Sequence, residues 1–330
     1  MSENFDRINM STPIPEVLYK YRHFNERTIE LLCADLAYFA DPASFNDPLD
    51  AKPCVEIDCD KGQMEQAVFE MVRRRVHAEM QAAASSIKYR GPRTMEHIDK
   101  HSRAAAQKFL DELRYRATDP DHSDEPPGPL ANELSWAIES ELLRRYETGV
   151  LSLATRYDCP LMWSHYGDQH RGLCIGYALP EKYEPKIHQV RYGGERRVRA
   201  SDVVKMVLYS EVAARKSVDE AVLLRKASDW HYEKEWRMLG PRGATDSSLE
   251  MVEIHFGMRC PRTVMHTVAA ALNGRDKTVE LYQMSEVRGT FNLGRSELDV
   301  SELGATYPRR ALTVSEDFEQ YIVEPGQPEI

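Results

Sequence analysis

Hydrophobic and polar positions follow two different rhythms along this chain, and the change comes at Gly149. Before it, helical spacing dominates. Val17 to Tyr21 reads as a short strand, and Thr28, Ile29, Leu31, Leu32 and Leu36 follow as one apolar helix face. LAYFA then reads as a second strand, with turn signals at Asp41-Pro42 and Asn46-Asp47-Pro48. Met64, Val68, Met71, Val72, Met80, Ala84 and Ile87 recur at helical spacing, and a second long helix is predicted from about Met95 to Tyr115. Ala117 to Pro129 reads as a linker, because its prolines cannot continue a helix. A third helix is predicted through ELSWAIESELLRRYE, stopping at Gly149.

After Gly149 the runs are short and β-rich: VLSLAT, GLCIGYAL and HQVRY. Helical spacing returns from Asp202 to Ala214 and again after Ser217, where Ser217 and Glu220 read as a capping box. EWRML and EMVEIHF read as strands, Pro261 opens a helix through Leu272, and TVELYQM is a further strand. The expected architecture is a single α+β domain over residues 1–330. Strands from Val17, Val150, Gly172, Glu235 and Met251 form a compact mixed or antiparallel β core, and residues 61–149 form a large helical insertion.

Composition narrows the function class. With 330 residues, 42% hydrophobic and 29% charged, the chain has the balance of a globular protein with a real core. No apolar run is long enough to span a bilayer, and MSENFDRINM lacks the pattern of a secretory signal. Six cysteines without C-x-x-C spacing read as reduced thiols, which predicts a cytoplasmic protein with no membrane partner. A net charge of −10 argues against broad non-specific nucleic-acid binding.

Three clusters carry candidate chemistry. LMWSHYGDQHRG sets Trp163, His165, Tyr166 and His170 close together. His165 and His170 are five apart and do not share a helix face, and Cys159 and Cys174 flank them without a zinc spacing, so no metal is expected. Met162, Trp163 and Tyr166 also read simply as an apolar helix face ended by Gly167. In KASDWHYEKEWRML, strand alternation puts Glu233, Glu235 and Arg237 on one side, with Trp236 and Met238 on the other. Two carboxylates so placed suit a ribose hydroxyl and a developing cation, although a solvated charged face has the same pattern. In FNDPLD, Asn46 and Asp47 form a turn by themselves and also offer hydrogen bonds to a ligand.

Taken in order, LYKYR (Leu18 to Arg22), FNDPLD (Phe45 to Asp50), MWSHYGDQHRG (Met162 to Gly172) and WHYEKEWR (Trp230 to Arg237) resemble the bacterial family of domain of unknown function 2971. More distantly, a basic residue on an early strand, an aromatic corner in a β-rich centre and a carboxylate opening a later strand resemble ADP-ribosyltransferases. That resemblance implies NAD as the substrate and an ADP-ribosyltransferase-like core. It implies Glu235 as the catalytic glutamate, stabilising an oxocarbenium-like transition state as nicotinamide leaves, with Glu233 accessory on the acceptor side. It places Lys20 or Arg22 on the phosphates or ribose and Tyr166 on the nicotinamide. Asn46, Asp47, Trp163, His165 and His170 then complete the cofactor side, and Arg237 and Trp230 the substrate side. The chain departs from the pattern at Lys20, where relatives often have histidine. It has no Ser-Thr-Ser run, LSLAT offering Ser152 and Thr155, and it carries the helical insertion.

The leading expectation is an NAD-consuming enzyme, a toxin or phage-defence effector modifying protein or nucleic acid. Two alternatives stay open. One is a nuclease using His165, His170, Glu233 and Arg237. The other is a non-catalytic module in which these groups form a buried polar network.

Overall fold

The change of rhythm at Gly149 marks a change of material in the computed structural model, which describes residues 13–87, 91–119, 127–145, 148–180 and 187–309. The chain opens with β1 (Val17–Arg22), α1 (Glu26–Cys33) and β2 (Leu36–Phe39). A short β3 (Cys54–Glu56) leads to α2 (Lys61–Ser86), α3 (Thr94–Arg116) and α4 (Pro129–Arg145). The β-rich part follows: β4 (Thr148–Leu153), α5 (Pro160–His165), β5 (Leu173–Ala178), β6 (Ile187–Gln189), β7 (Arg191–Tyr192) and β8 (Arg197–Arg199). Then come α6 (Ala200–Leu208), α7 (Val212–Leu223), β9 (Arg225–Lys226), β10 (Trp236–Pro241), β11 (Gly243–Asp246) and β12 (Glu250–Phe256). The last described elements are α8 (Arg262–Leu272), β13 (Glu280–Glu286), β14 (Leu293–Glu297) and α9 (Val300–Thr306).

Two sheets organise this α+β fold. One has the order β1-β5-β12-β13-β14, antiparallel except where β12 meets β13; the other has the order β4-β10-β6 and is antiparallel throughout. Alternation sends Leu18 of β1, Leu173 and Ile175 of β5, and Ile254 and Phe256 of β12 into one apolar core. Leu151 and Leu153 of β4 and Trp236 and Met238 of β10 join it there. A second core lies between α2, α3, α4, α6 and α7, where Met64, Val68, Leu110, Leu134, Ile138 and Val203 pack. Among the described residues the sheets meet through one isolated bridge, Tyr19 to Ala154, beyond which β1 and β4 diverge; Val150 of β4 pairs instead with Ala40, just past β2. Among the described residues no helix is long and apolar enough to cross a membrane.

Local chemistry explains where the elements depart from the sequence reading. Asn25 caps α1 by accepting from the Thr28 N–H at 2.9 Å, but the helix ends at Cys33 because Asp35 takes φ +53°. Leu36 therefore opens β2 and is not part of the α1 face. The predicted Asp202–Ala214 helix is broken by Ser210 at φ +55°, and α7 already begins at Val212. Ser217 thus sits inside α7, donating to Asp202 Oδ2 at 3.0 Å, and caps nothing. HQVRY divides into β6 and β7, which join different sheets. Most of the Ala117–Pro129 linker, and the residues joining α4 to β4, lie outside the described residues.

Close backbone approach at Gly172 sets the register of β1 on β5. A β-carbon there would stand 2.2 Å from the Arg22 carbonyl oxygen. Gly172→Ala should therefore destabilise by about 1–3 kcal/mol through overpacking. At Gly304 of α9 nothing lies within reach, and Gly304→Ala should be neutral or stabilise by up to about 1 kcal/mol. Urea unfolding of both variants checks the contrast.

Candidate functional site

Two segments, FNDPLD and WHYEKEWR, carry most of the charged side chains of the site, and each is shaped by its own local geometry. In FNDPLD, Asp47 Oδ1 accepts from the Leu49 N–H at 2.8 Å and Oδ2 from Trp230 Nε1 at 2.8 Å. This turn delivers Asp50 to the interior, where it is buried. WHYEKEWR is not a continuous strand. Ser228–Glu233 is a 3-10 turn, and Lys234 at φ +45° reverses the chain before β10. Glu235, immediately before β10, and Arg237 within it face one side, opposite Trp236 and Met238, as alternation predicts, whereas Glu233 reaches them from the turn.

These segments close on a buried cluster of charge. Arg237, with 0% exposure, donates from Nε to Glu235 Oε1 (2.8 Å), from Nη2 to both oxygens of Asp50 (2.9 and 2.7 Å), and from Nη1 to the Leu223 carbonyl (2.7 Å). Lys226 Nζ donates to Glu233 Oε2 at 2.5 Å and Glu235 Oε2 at 3.1 Å, and lies 3.4 Å from Asp50 Oδ2. Tyr166 donates its hydroxyl proton to Glu233 Oε1 at 2.8 Å and accepts from Asn46 Nδ2 at 3.2 Å.

The two glutamates have opposite electrostatic settings. Burial alone would raise the Glu235 carboxyl, but the charges of Arg237 and Lys226 outweigh it and hold it down to about 2. Glu233 is pushed up, because burial and the neighbouring Glu235 outweigh its contact with Lys226. Carboxylates whose environments push them apart are a recurrent basis for divided acid–base roles. Among the described residues no cluster of three or more His, Cys, Asp or Glu side chains is arranged to hold a metal ion. The three carboxylates here surround Lys226.

A cavity of about 250 Å³ opens beside this cluster, where the sheets part. Lys20, Tyr166, Glu233, Glu235, Lys226 and Asn46 line it, with Phe45 and Met162 as apolar wall. In an antiparallel ladder, every second residue points its backbone groups to the same side. Tyr19 exchanges N–H and C=O bonds with Ala154 (2.8 and 2.7 Å), so Tyr21 turns its N–H and C=O the same way, into the gap that β4 has left. Lys20 donates from Nζ to the Ser152 carbonyl at 2.9 Å. Burial, with a further contribution from the nearby charge of Arg22, pushes its ammonium down to about 8.

The remaining candidate residues stand away from the cavity. Trp163 is a core residue with 0% exposure, its indole N–H donating to the Tyr157 carbonyl at 2.7 Å. His165 is exposed, its ring among Trp230, Tyr232 and Tyr166 with centroids 6.3–6.4 Å away. His170 lies against Trp163 (6.0 Å, 15°) in a corner where Asp168, Gln169 and His170 all take positive φ. The His170 carbonyl accepts from Arg259 N–H at 2.8 Å, and a β-carbon at Gly257 would stand 2.2 Å from it. His170 is thus locked by the corner and does not face Glu235. Arg22 is half-buried near Tyr177, Arg27 and Tyr38, off the cavity lining. Arg237 and Asp47 are held by protein partners, and Trp230 is tied to Asp47. The sequence reading missed Lys226 and Asp50 as site residues, although both lie inside its quoted motifs. The signal it had was an acid and a base at the edges of motifs already rich in opposite charge.

Residues 162–238 match the model of the family described as Protein of unknown function (DUF2971). The match covers both MWSHYGDQHRG and WHYEKEWR and bears out the family resemblance drawn from them. No curated protein and no solved structure matches the chain.

The charge cluster predicts a defined response to mutation and acid. Arg237→Met leaves Asp50 and Glu235 buried with Lys226 alone between them, and should cost about 3–5 kcal/mol. Glu235 sits below its ordinary value of 4.5, so its stabilising contribution is complete above that pH and is lost as pH falls toward about 2. Urea melts at pH 7, 5 and 3 should show the acid-side loss in the wild type and a shallower one in Arg237→Met.

Proposed function

We propose that the cavity cleaves the bond between nicotinamide and ribose in NAD and passes ADP-ribose to a protein or nucleic-acid acceptor. One observation carries this reading. Lys20 from β1, Tyr166 from the aromatic corner and Glu233 and Glu235 from the last motif line one cavity, where β1 exposes a backbone edge. A carboxamide needs one donor and one acceptor, and the Tyr21 N–H and C=O supply both at the gap. A volume near 250 Å³ is below the usual range for a whole small-molecule site, so one end of a dinucleotide is enclosed and the rest lies outside.

In this reading the Tyr166 ring forms the wall for the nicotinamide. Lys20 offers a buried ammonium to ribose or phosphate oxygens. Glu235, ionised at any neutral pH, stabilises the positive charge that develops on the ribose as the nicotinamide nitrogen departs with the bonding pair. Glu233 takes the proton from the hydroxyl or amine that attacks the same carbon. The nuclease alternative needs His165 and His170 to converge on Glu233 and Arg237, and both histidines stand away from the cluster that holds those two. The polar-network alternative is favoured by the internal bonding of Glu235 to Arg237 and Lys226. It expects no turnover and only a stability change when Glu235 is altered.

Nicotinamide release measured against NAD concentration separates the two. Glu235→Gln should lower turnover roughly 100- to 1000-fold while NAD binding changes little. Lys20→Ala should instead raise KM, about 10-fold or more, for loss of a charged hydrogen bond. A folded Glu235→Gln protein with wild-type turnover, or a wild type that releases no nicotinamide, contradicts the proposal.

A further inference from the structure

The charges at the site do not balance by pairs. Asp50, Glu233 and Glu235 share two cations in direct contact, Lys226 and Arg237, while Lys20, the third cation of the site, bonds the Ser152 carbonyl instead of a carboxylate. Arg237 serves Asp50 and Glu235 and makes no contact with Glu233 among its bonds. Glu233 therefore depends on Lys226 as its direct cationic partner, with the neutral Tyr166 hydroxyl on its other oxygen. Lys226 is itself buried, and its ammonium lies over the Trp230 ring at 5.3 Å, so it is held from the apolar side as well.

We propose that Lys226 is the positioning residue of the site, holding Glu233 against Glu235 and dividing their roles, so that Glu235 keeps a permanent charge and Glu233 moves the proton. This inference rests on the NAD reading of the cavity for its catalytic consequence, but its electrostatic content does not. Glu233 is the less neutralised of the two, because Glu235 touches two cations and Glu233 touches one. The groups facing Glu233 are Lys226 on β9, Glu235 just before β10, Tyr166 after α5, Tyr232 in its own turn and Tyr192 on β7, with Lys20 on β1 and Asp50 farther across the cluster. Lys226 is the cation in direct contact with Glu233, so its ammonium decides how readily Glu233 ionises. Ionised Glu233 accepts the proton from the attacking hydroxyl or amine. As it does so, the attacking atom bonds to the ribose carbon and nicotinamide leaves with the electron pair of the broken bond.

Removing an opposite charge within hydrogen-bond distance makes a carboxyl titrate about 1–3 pH units higher. In K226M, and in K226Q, which keeps a hydrogen-bond donor and so protects folding, the acid limb of nicotinamide release should move up by that amount. At a pH below both limbs, turnover should fall about tenfold for every pH unit the limb has moved. K226R should restore most of the wild-type profile. The second readout needs no activity: the carboxyl titration of Glu233, followed by NMR in protein labelled with carbon-13 at glutamate carboxyls and assigned with E233Q. It should move up in K226M or K226Q and return in K226R. A wild type without nicotinamide release would end the NAD reading, while the titration would still decide the role of Lys226. An unmoved Glu233 titration in any folded neutral variant overturns the inference.

Discussion

The burial of Arg237 is the constraint on which the rest of the site depends. A guanidinium without solvent contact is costly unless its donors are matched, because the desolvation of an ion in a protein interior amounts to several kcal/mol. Here Asp50, Glu235 and the Leu223 carbonyl match them, and these come from a turn 187 residues away, from the residue that precedes β10 and from the end of α7. The pairing fixes where the FNDPLD turn, the α7–β9 connection and the mouth of β10 stand relative to one another. A well-packed apolar group would serve stability as well or better, since buried ion networks are often no more stable than hydrophobic replacements. The cluster borders a cavity, and it holds one carboxylate firmly ionised while leaving a second poised higher.

The second constraint is the split between the sheets. An unpaired strand edge is normally avoided, because it invites pairing with other chains. In this fold the edge is created inside the molecule, where β4 leaves β1 after the Tyr19–Ala154 bridge and turns to Ala40. Sheet divergence thus yields a walled gap whose floor is backbone and whose sides are Lys20, Tyr166 and the two glutamates. In the proposed reading this gap takes the planar amide of nicotinamide, and the charge cluster beside it acts on the attached ribose.

Much of this was legible in the sequence, for identifiable reasons. The long helices were clear because Met64, Val68, Met71 and Val72 recur on one face, and the strands of β5 and β12 because their apolar runs are short and bounded. The helix ends were not, because Asp35 and Ser210 break helices through left-handed backbone that carries no proline or glycine signal. Alternation placed Glu235 and Arg237 correctly, but it also ran the strand back to Glu233, which sits in a 3-10 turn, since the reversal at Lys234 is invisible to a periodicity argument. The spacing of MWSHYGDQHRG was conspicuous for a structural reason. Trp163, Gly167, His170 and Gly172 build a corner that lies against Gly257 and Arg22, and of its conspicuous residues Met162 and Tyr166 line the cavity. Lys226 escaped notice because a lysine shortly before a charged turn looks like surface charge until the fold encloses it.

The central claim is that the gap between β1 and β4 receives the nicotinamide end of NAD through the backbone of Tyr21. The most direct measurement is the amide signal of Tyr21 in nitrogen-15-labelled protein titrated with nicotinamide and, separately, with nicotinic acid, which lacks the amide donor. The account predicts a saturable shift of the Tyr21 signal with nicotinamide and a much weaker response to nicotinic acid. A Tyr21 signal that stays unmoved while nicotinamide perturbs residues elsewhere, or that responds equally to both, would contradict it.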